Sequence, residues 1–230
     1  MGLSHSPVIT TDGLVLCLDA ANVRSYPKSG TAWSDLSGNG NNGTLTNGPA
    51  FSNANGGNID FDGTNDYVNI SHNASQSFTG NFSIEAIIYP QAGTANCIIQ
   101  KGSGNDFYQE YWLLNDMRNG VNYVALIMAY SGNGGRTLIK TNAIISLNMY
   151  WHITAQVSGN TGTIFINGQQ RATAGISSRL QSTADVRIGG RVDGFAYANA
   201  KIPMVKLYNR ALSADEIKNN YLATKGRFGL

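Results

Sequence analysis

Hydrophobic residues along the chain recur at every second position or in short unbroken runs, and over most of its length no face with a helical period emerges. Ile59 and Phe61 alternate with Asn58, Asp60 and Asp62, and Tyr67-Val68-Asn69-Ile70 answers them beyond Gly63-Thr64-Asn65-Asp66. That pattern predicts a hairpin, turned by a glycine that accepts positive φ and by Asn and Asp side chains that bond to nearby backbone. Leu14-Val15-Leu16-Cys17-Leu18 predicts a core strand in mid-sheet. Phe82 to Tyr89, closed by Pro90, and Cys97-Ile98-Ile99 predict a second antiparallel pair, with Glu85 alternating out of the apolar face. Tyr111 to Leu114 and Tyr123 to Ala129 predict strands joined through Arg118-Asn119-Gly120. Trp151 to Val157 should pair with Thr163 to Ile166, which Asn167-Gly168 turns back.

Residues 21–58 are punctuated by Gly, Pro and Asn and read as a wrapping loop pinned by Trp33, Leu36 and Leu45. Pro203, within Lys201-Ile202-Pro203-Met204-Val205, suggests an edge strand, with Met204 exposed. One helix is predicted, over residues 214–223, because Ser213 and Glu216 have capping-box spacing and Ile217, Tyr221 and Leu222 share a face. The chain thus divides into an N-terminal arm (1–12), one all-β domain (13–223) and a basic tail (224–230), either loose or docking Phe228 and Leu230 on a neighbouring subunit.

A chain of 230 residues can bury a core without disulfide staples. Charged residues make up only 13%, while 27 Gly and 26 Asn suit short strands and many tight turns. The net charge of +2 comes with no run of Lys or Arg, which argues against nucleic acid and anionic membrane as partners. No stretch approaches the roughly 20 apolar residues of a membrane span, and Met1 to Asp12 has no basic start followed by an apolar core. Neither anchoring nor export by a conventional signal is expected. Cys17 and Cys97 sit in apolar strand patterns and read as small buried hydrophobes, a disulfide between them being the lesser alternative.

The stretch FDGTNDYV, residues 61–68, resembles the hairpin of laminin-G-like domains in the concanavalin A-like lectin/glucanase superfamily. Leu14 to Ala20, Leu36 to Thr44, Phe82 to Ala86, Trp151 to Ile153 with Ile166 to Gly168, Ile188-Gly189-Gly190 and Leu207 to Ser213 resemble it in the same order. The resemblance implies an antiparallel jelly-roll β-sandwich. It departs from the family at Ala200 and Met204, where a glycine and an acidic residue are usual, which puts in doubt a ligand bound near the acidic position.

Glucanases of this fold carry alternating carboxylates on one strand, but the three Glu here, Glu85, Glu110 and Glu216, lie far apart without acidic neighbours. No hydrolase activity is expected. His5, His72 and His152 have no metal-ligand spacing, and no nucleophile elbow or phosphate loop is present, Gly132 to Arg136 reading as a hairpin tip. The resemblance implies calcium as a candidate cofactor, with Asp19, Asp35, Asp62 and Asp66 as donors; the alternative is that each caps a turn. Sugar binding needs an aromatic platform beside amides or carboxylates. Tyr108, Tyr111 and Trp112 beside Asp106, Glu110 and Asn115, and Tyr130 with Asn133 and Arg136, have that composition; Tyr108, Trp112, Tyr130 and Arg136 are the candidate carbohydrate-binding residues. The alternative for such aromatics is strand packing.

Two functions stay open. One is a non-enzymatic virion structural protein on the particle surface, a capsid decoration or fibre component assembling with itself or other virion proteins, with a glycan-binding face. Its openings like Gly2-Leu3-Ser4-His5-Ser6-Pro7 resemble virion proteins of tailed phages. The other is an extracellular carbohydrate-binding or adhesion module of a microbial surface or secreted protein.

Overall fold

In the computed structural model the described residues are 8–104, 106–130, 135–142, 145–177 and 179–230, without the side chains of Asp106 and Asn119. In chain order the strands are β1 (Leu14–Asp19), β2 (Ala32–Trp33), β3 (Gly43–Thr46), β4 (Ala50–Ser52), β5 (Asn58–Asp62), β6 (Tyr67–Ile70), β7 (Phe82–Pro90) and β8 (Ala95–Gly102). They continue with β9 (Gln109–Asp116), β10 (Tyr123–Tyr130), β11 (Gly135–Lys140), β12 (Trp151–Ser158), β13 (Thr161–Ile166), β14 (Gln169–Gly175), β15 (Val186–Ile188) and β16 (Asn199–Tyr208). The helix α1 (Ala214–Phe228) closes the chain. Two antiparallel sheets result, one ordered β14-β13-β12-β7-β16-β5-β4 with β1 also on β16, the other β11-β10-β9-β8-β15-β6-β3-β2.

The predicted hairpin over 58–70 is instead an arch. β5 pairs with β16 and β4, β6 pairs with β15 and β3, and the two lie in different sheets. Ile59, Phe61, Val68 and Ile70 all enter the one core between the sheets, so the alternation that suggests a hairpin equally serves two strands facing each other. Gly63 has φ +80°, and a Cβ there would lie 2.9 Å from that of Asn199. Asp66 accepts from the backbone N–H of Asp62 (3.1 Å) and Asp62 from that of Thr64 (2.7 Å), tying the corner. The pair predicted from Phe82 to Ile99 divides in the same way: β7 pairs with β12 and β16, β8 with β9 and β15.

β16 is central, not an edge. It pairs with β5 through Asn199–Ile202 on one side and with β1 through Met204–Tyr208 on the same side beyond, so Pro203 sits at the handover where a missing N–H breaks no ladder. On its other side the register to β7 skips between Lys201 and Met204, a bulge at the same place. Met204 is consequently buried. Among the described residues β1 pairs with β16 alone, not in mid-sheet on both sides. Trp33 and Leu45 are buried as pins, but Leu36 is exposed.

The capping box at Ser213 and Glu216 forms as predicted, yet the helix runs on to Phe228 and ends on Gly229 in the left-handed region. Phe228 packs with Ile87, Tyr150 and Met204 of its own chain and Leu230 lies against the same cluster, so the tail is not loose and its Phe228 is taken up within the domain. Beneath α1 the outer face of β7 and β16 carries Glu85, which does alternate away from the core but is sealed from water. Lys206 Nζ lies 2.6 Å from Glu85 Oε1, His152 Nε2 3.5 Å from it, and Asn220 Nδ2 donates to Oε2 at 2.6 Å. Cys17 and Cys97 are free thiols, and burial pushes them up to about 11 and about 12 respectively.

Candidate functional site

Tyr111 to Leu114 and Tyr123 to Ala129 are continuous apolar runs because both faces of β9 and β10 are covered. Tyr111, Leu113, Val124 and Leu126 face the inter-sheet core; Trp112, Leu114, Tyr123, Ala125 and Ile127 form a second cluster on the outer face, with Cys97 and Ala196. The cover over that outer cluster is the loop between β15 and β16. Gly189 and Gly190 let it fold back: a Cβ on Gly189 would collide with the Phe61 ring, and one on Gly190 would lie 2.8 Å from Tyr197. The Gly189 carbonyl accepts from Ala198 N–H at 2.7 Å, and Gly194 N–H donates to the Arg191 carbonyl at 3.0 Å.

The loop carries Arg191 onto the sheet. Its guanidinium stacks 4.5 Å from the ring centroids of both Trp112 and Phe195, and forks onto Asp193 through Nε (2.7 Å) and Nη2 (2.6 Å). Across the hollow, Arg118 forks onto Asp116 through Nε (2.9 Å) and Nη2 (2.7 Å), and Tyr123 donates its hydroxyl to Asp116 at 3.1 Å. Burial pushes the Asp116 carboxyl up, but the Arg118 and Tyr123 hydrogen bonds outweigh it and hold the carboxyl below its ordinary range. Arg118 also lies 4.8 Å from the Phe195 ring, and Arg136 5.5 Å from that of Phe107. These groups surround an open hollow of about 360 Å³.

Of the four residues picked from sequence, Trp112 and Arg136 line this hollow, while Tyr108 and Tyr130 line an adjacent one of about 380 Å³. Phe107 lines both. Trp112 is 1% exposed beneath Arg191, so it supports the site and presents no ring to a ligand. The exposed rings are Phe195 (53%), Tyr108 (58%) and Phe107 (40%). Tyr111 and Asn115 are buried, Asn115 accepting from Asn96 at 3.1 Å. Glu110 is buried too: its Oε1 accepts from Phe78 N–H (2.6 Å) and its Oε2 from Ser182 N–H (2.9 Å). Burial pushes its carboxyl up despite these bonds. Asn133, the Gly132–Gly134 part of the hairpin tip, the Asp106 side chain, His5 and the opening residues Gly2 to Pro7 lie outside the described residues.

Sequence reading missed Phe107, Phe195 and the two Arg–Asp forks. The forks had a local signal in Asp116-Met117-Arg118 and Arg191-Val192-Asp193, opposite charges two residues apart in turn-rich segments. Phe195 had none, since only the folded loop brings it opposite β9.

The four calcium candidates do not meet in one place. Asp35 accepts from the backbone of Cys17, Ser37 and Asn41, and Asp19 pairs with Arg227 at 2.8 Å. Asp62 and Asp66 share a different hollow with Asp60, Gln91 and Asn199. Among the described residues no three His, Cys, Asp or Glu side chains gather as a metal site, and the donors are engaged with backbone or arginine.

The structure is similar to the binding domain of Paraclostridial Mosquitocidal Protein 1, with a TM-score of 0.72 at 19% identity over 92% of this chain and 52% of that one. It is also similar to the botulinum neurotoxin type G receptor binding domain, at 0.67 and 19% over 91% and 51%. Trypanosoma rangeli sialidase in complex with sialic acid gives 0.66 and 18% over 94% and 33%. The chain thus spans about half the length of the toxin domains and a third of the sialidase, and what it shares with them is the fold. No curated protein matches the sequence. The Laminin_G_3 family, described as concanavalin A-like lectin/glucanases superfamily, matches residues 62–218, which hold most of both sheets and the whole loop over Trp112. The chain belongs to this laminin-G-like family of the concanavalin A-like lectin/glucanases superfamily.

Proposed function

We propose that this domain is a non-catalytic carbohydrate-binding module whose recognition surface is the outer face of β9–β11. The observation that carries the reading is the pair of exposed rings, Phe107 and Phe195, flanking a hollow whose polar groups include two preformed Arg–Asp forks beside Tyr123 and Arg136. Aromatic faces suit the C–H faces of a sugar ring, and planar forks held in place offer donors and acceptors to its hydroxyls without first being ordered. Hydrolysis has no support in the glutamates: Glu85 lies sealed under α1, Glu110 clamps two loops, and Glu216 closes the capping box. The similarity to two toxin binding domains accords with a binding role. Phe195→Ala and Arg118→Ala should each weaken glycan binding by about tenfold or more on a glycan array followed by calorimetry, with the melting transition unchanged within a few degrees. Wild-type affinity in both variants would dismiss this surface.

A second reading, a building block on a virus particle or other surface, is favoured by β14. Among the described residues this strand ends its sheet and pairs only with β13, and it exposes Gln169, Gln170, Arg171 and Thr173. Such an edge can add a strand from a second copy or a particle protein. Sedimentation as a homo-oligomer that dissociates on placing proline at Thr173 would support it; a monomer at high concentration would not.

A further inference from the structure

We propose that the recognition surface extends beyond the outer-face hollow and takes an uncharged, extended polysaccharide chain instead of a single terminal sugar. This rests on the carbohydrate-binding reading above. Phe107 belongs to both the outer-face hollow and its neighbour of about 380 Å³, and Gln181 and Ser182 belong to that neighbour and to a third hollow of about 320 Å³ beside His72. The three therefore form one track, from the outer face past Tyr108 and Tyr130 to the end of the sandwich. Each hollow lies near the lower limit of about 300 Å³ for ligand sites, so one sugar would leave most of the track unfilled.

Charge narrows the occupant. Among the described residues lining the second and third hollows there is no Asp, Glu, Lys or Arg; in the first, Arg118 and Arg191 are matched by Asp116 and Asp193, and Arg136 lies against the Phe107 ring. Beyond the first hollow such a lining complements a neutral hydroxylated polymer and offers little to an acidic one. The walls are also preorganised by buried charge. Glu110 ties Phe78 to Ser182 from beneath, accepting as well from the Ser77 hydroxyl at 3.2 Å. Lys101 Nζ donates to His72 Nδ1 (2.9 Å) and to the Ala184 carbonyl (2.7 Å). With Nδ1 accepting from an ammonium, the His72 ring proton sits on Nε2, free to donate to a ligand hydroxyl. Ser182 Oγ accepts from Ala184 N–H at 3.1 Å and keeps its own proton to donate. The pair Glu110 and Lys101, otherwise a desolvation cost with no return, thereby fixes both sides of the third hollow.

The test uses the full chain on an array of neutral glucan, galactan, mannan and xylan oligosaccharides graded from single sugars to long oligomers, beside sialylated, uronic and sulfated glycans. Hits are then measured by calorimetry at low and high salt. A neutral oligomer should bind at least about tenfold more tightly than its own disaccharide, with little change in salt. Gln181→Ala, on an exposed side chain, should remove that length increment and leave disaccharide affinity intact, whereas Phe195→Ala should lower both. Full affinity already at the single sugar, or salt-sensitive preference for acidic glycans, would overturn the extended track and leave the outer-face site standing. Binding to no glycan would overturn both.

Discussion

Single positions in this protein are constrained by contacts that differ in kind. Gly63 carries a left-handed backbone and abuts Asn199, so Gly63→Val should cost about 1–3 kcal/mol, read as a lower melting temperature. An unchanged melt would mean that the corner between β5 and β6 relaxes freely. Glu85 is constrained by charge. Burial pushes its carboxyl up, but the Lys206 ammonium beside it wins and holds it well below the ordinary glutamate range. A depressed carboxyl contributes stability that is complete above the ordinary value of 4.5 and is lost as pH falls below it. Glu85→Gln leaves Lys206 buried without its counter-ion, and denaturant unfolding at neutral pH should lose about 3–5 kcal/mol. The variant's stability should also fall less steeply in acid than the wild type's.

Among the elements, α1 shows most clearly how local and distant contacts combine. Its start is local: Ser213 and Glu216 satisfy each other's backbone N–H groups, and hydrogen bonds from Arg210 hold the Glu216 carboxyl down to about 2. Its end is held from afar by the Arg227–Asp19 pair and by Phe228 in its aromatic nest with Tyr150. Removing residues 225–230 should therefore destabilise the domain by about 3 kcal/mol or more, most of it from Phe228, as measured by chemical denaturation. A truncated chain as stable as the full one would show that the helix end docks without consequence. The segments most legible beforehand were those whose signal is local: the capping box, the Asn167-Gly168 turn, with both residues at positive φ, and the hairpin of β12 and β13.

For the molecule as a whole, a period of two in the sequence sufficed for a chain built of strands, because each strand announces a buried face through its own neighbours, while the sandwich came from the resemblance of its motifs to laminin-G-like domains and the terminal helix from the capping box. Partnership between strands is not announced in that way. Ile59 and Phe61 face Val68 and Ile70 across the core instead of pairing beside them, and the alternation is identical in both arrangements. Pro203 read as an edge because a missing N–H is usually harmless only there, yet a handover between β5 and β1 is equally harmless. The candidate site shows the same division. Trp112 was legible as a chemistry-bearing residue on a strand and Arg136 as one at a hairpin tip, but Arg136 stands in β11 and Trp112 is the floor, covered by Arg191 from a loop some eighty residues away. Periodicity records which way a side chain leaves its own backbone; what meets it there depends on distant segments brought up by the fold, and no neighbour in sequence carries that information.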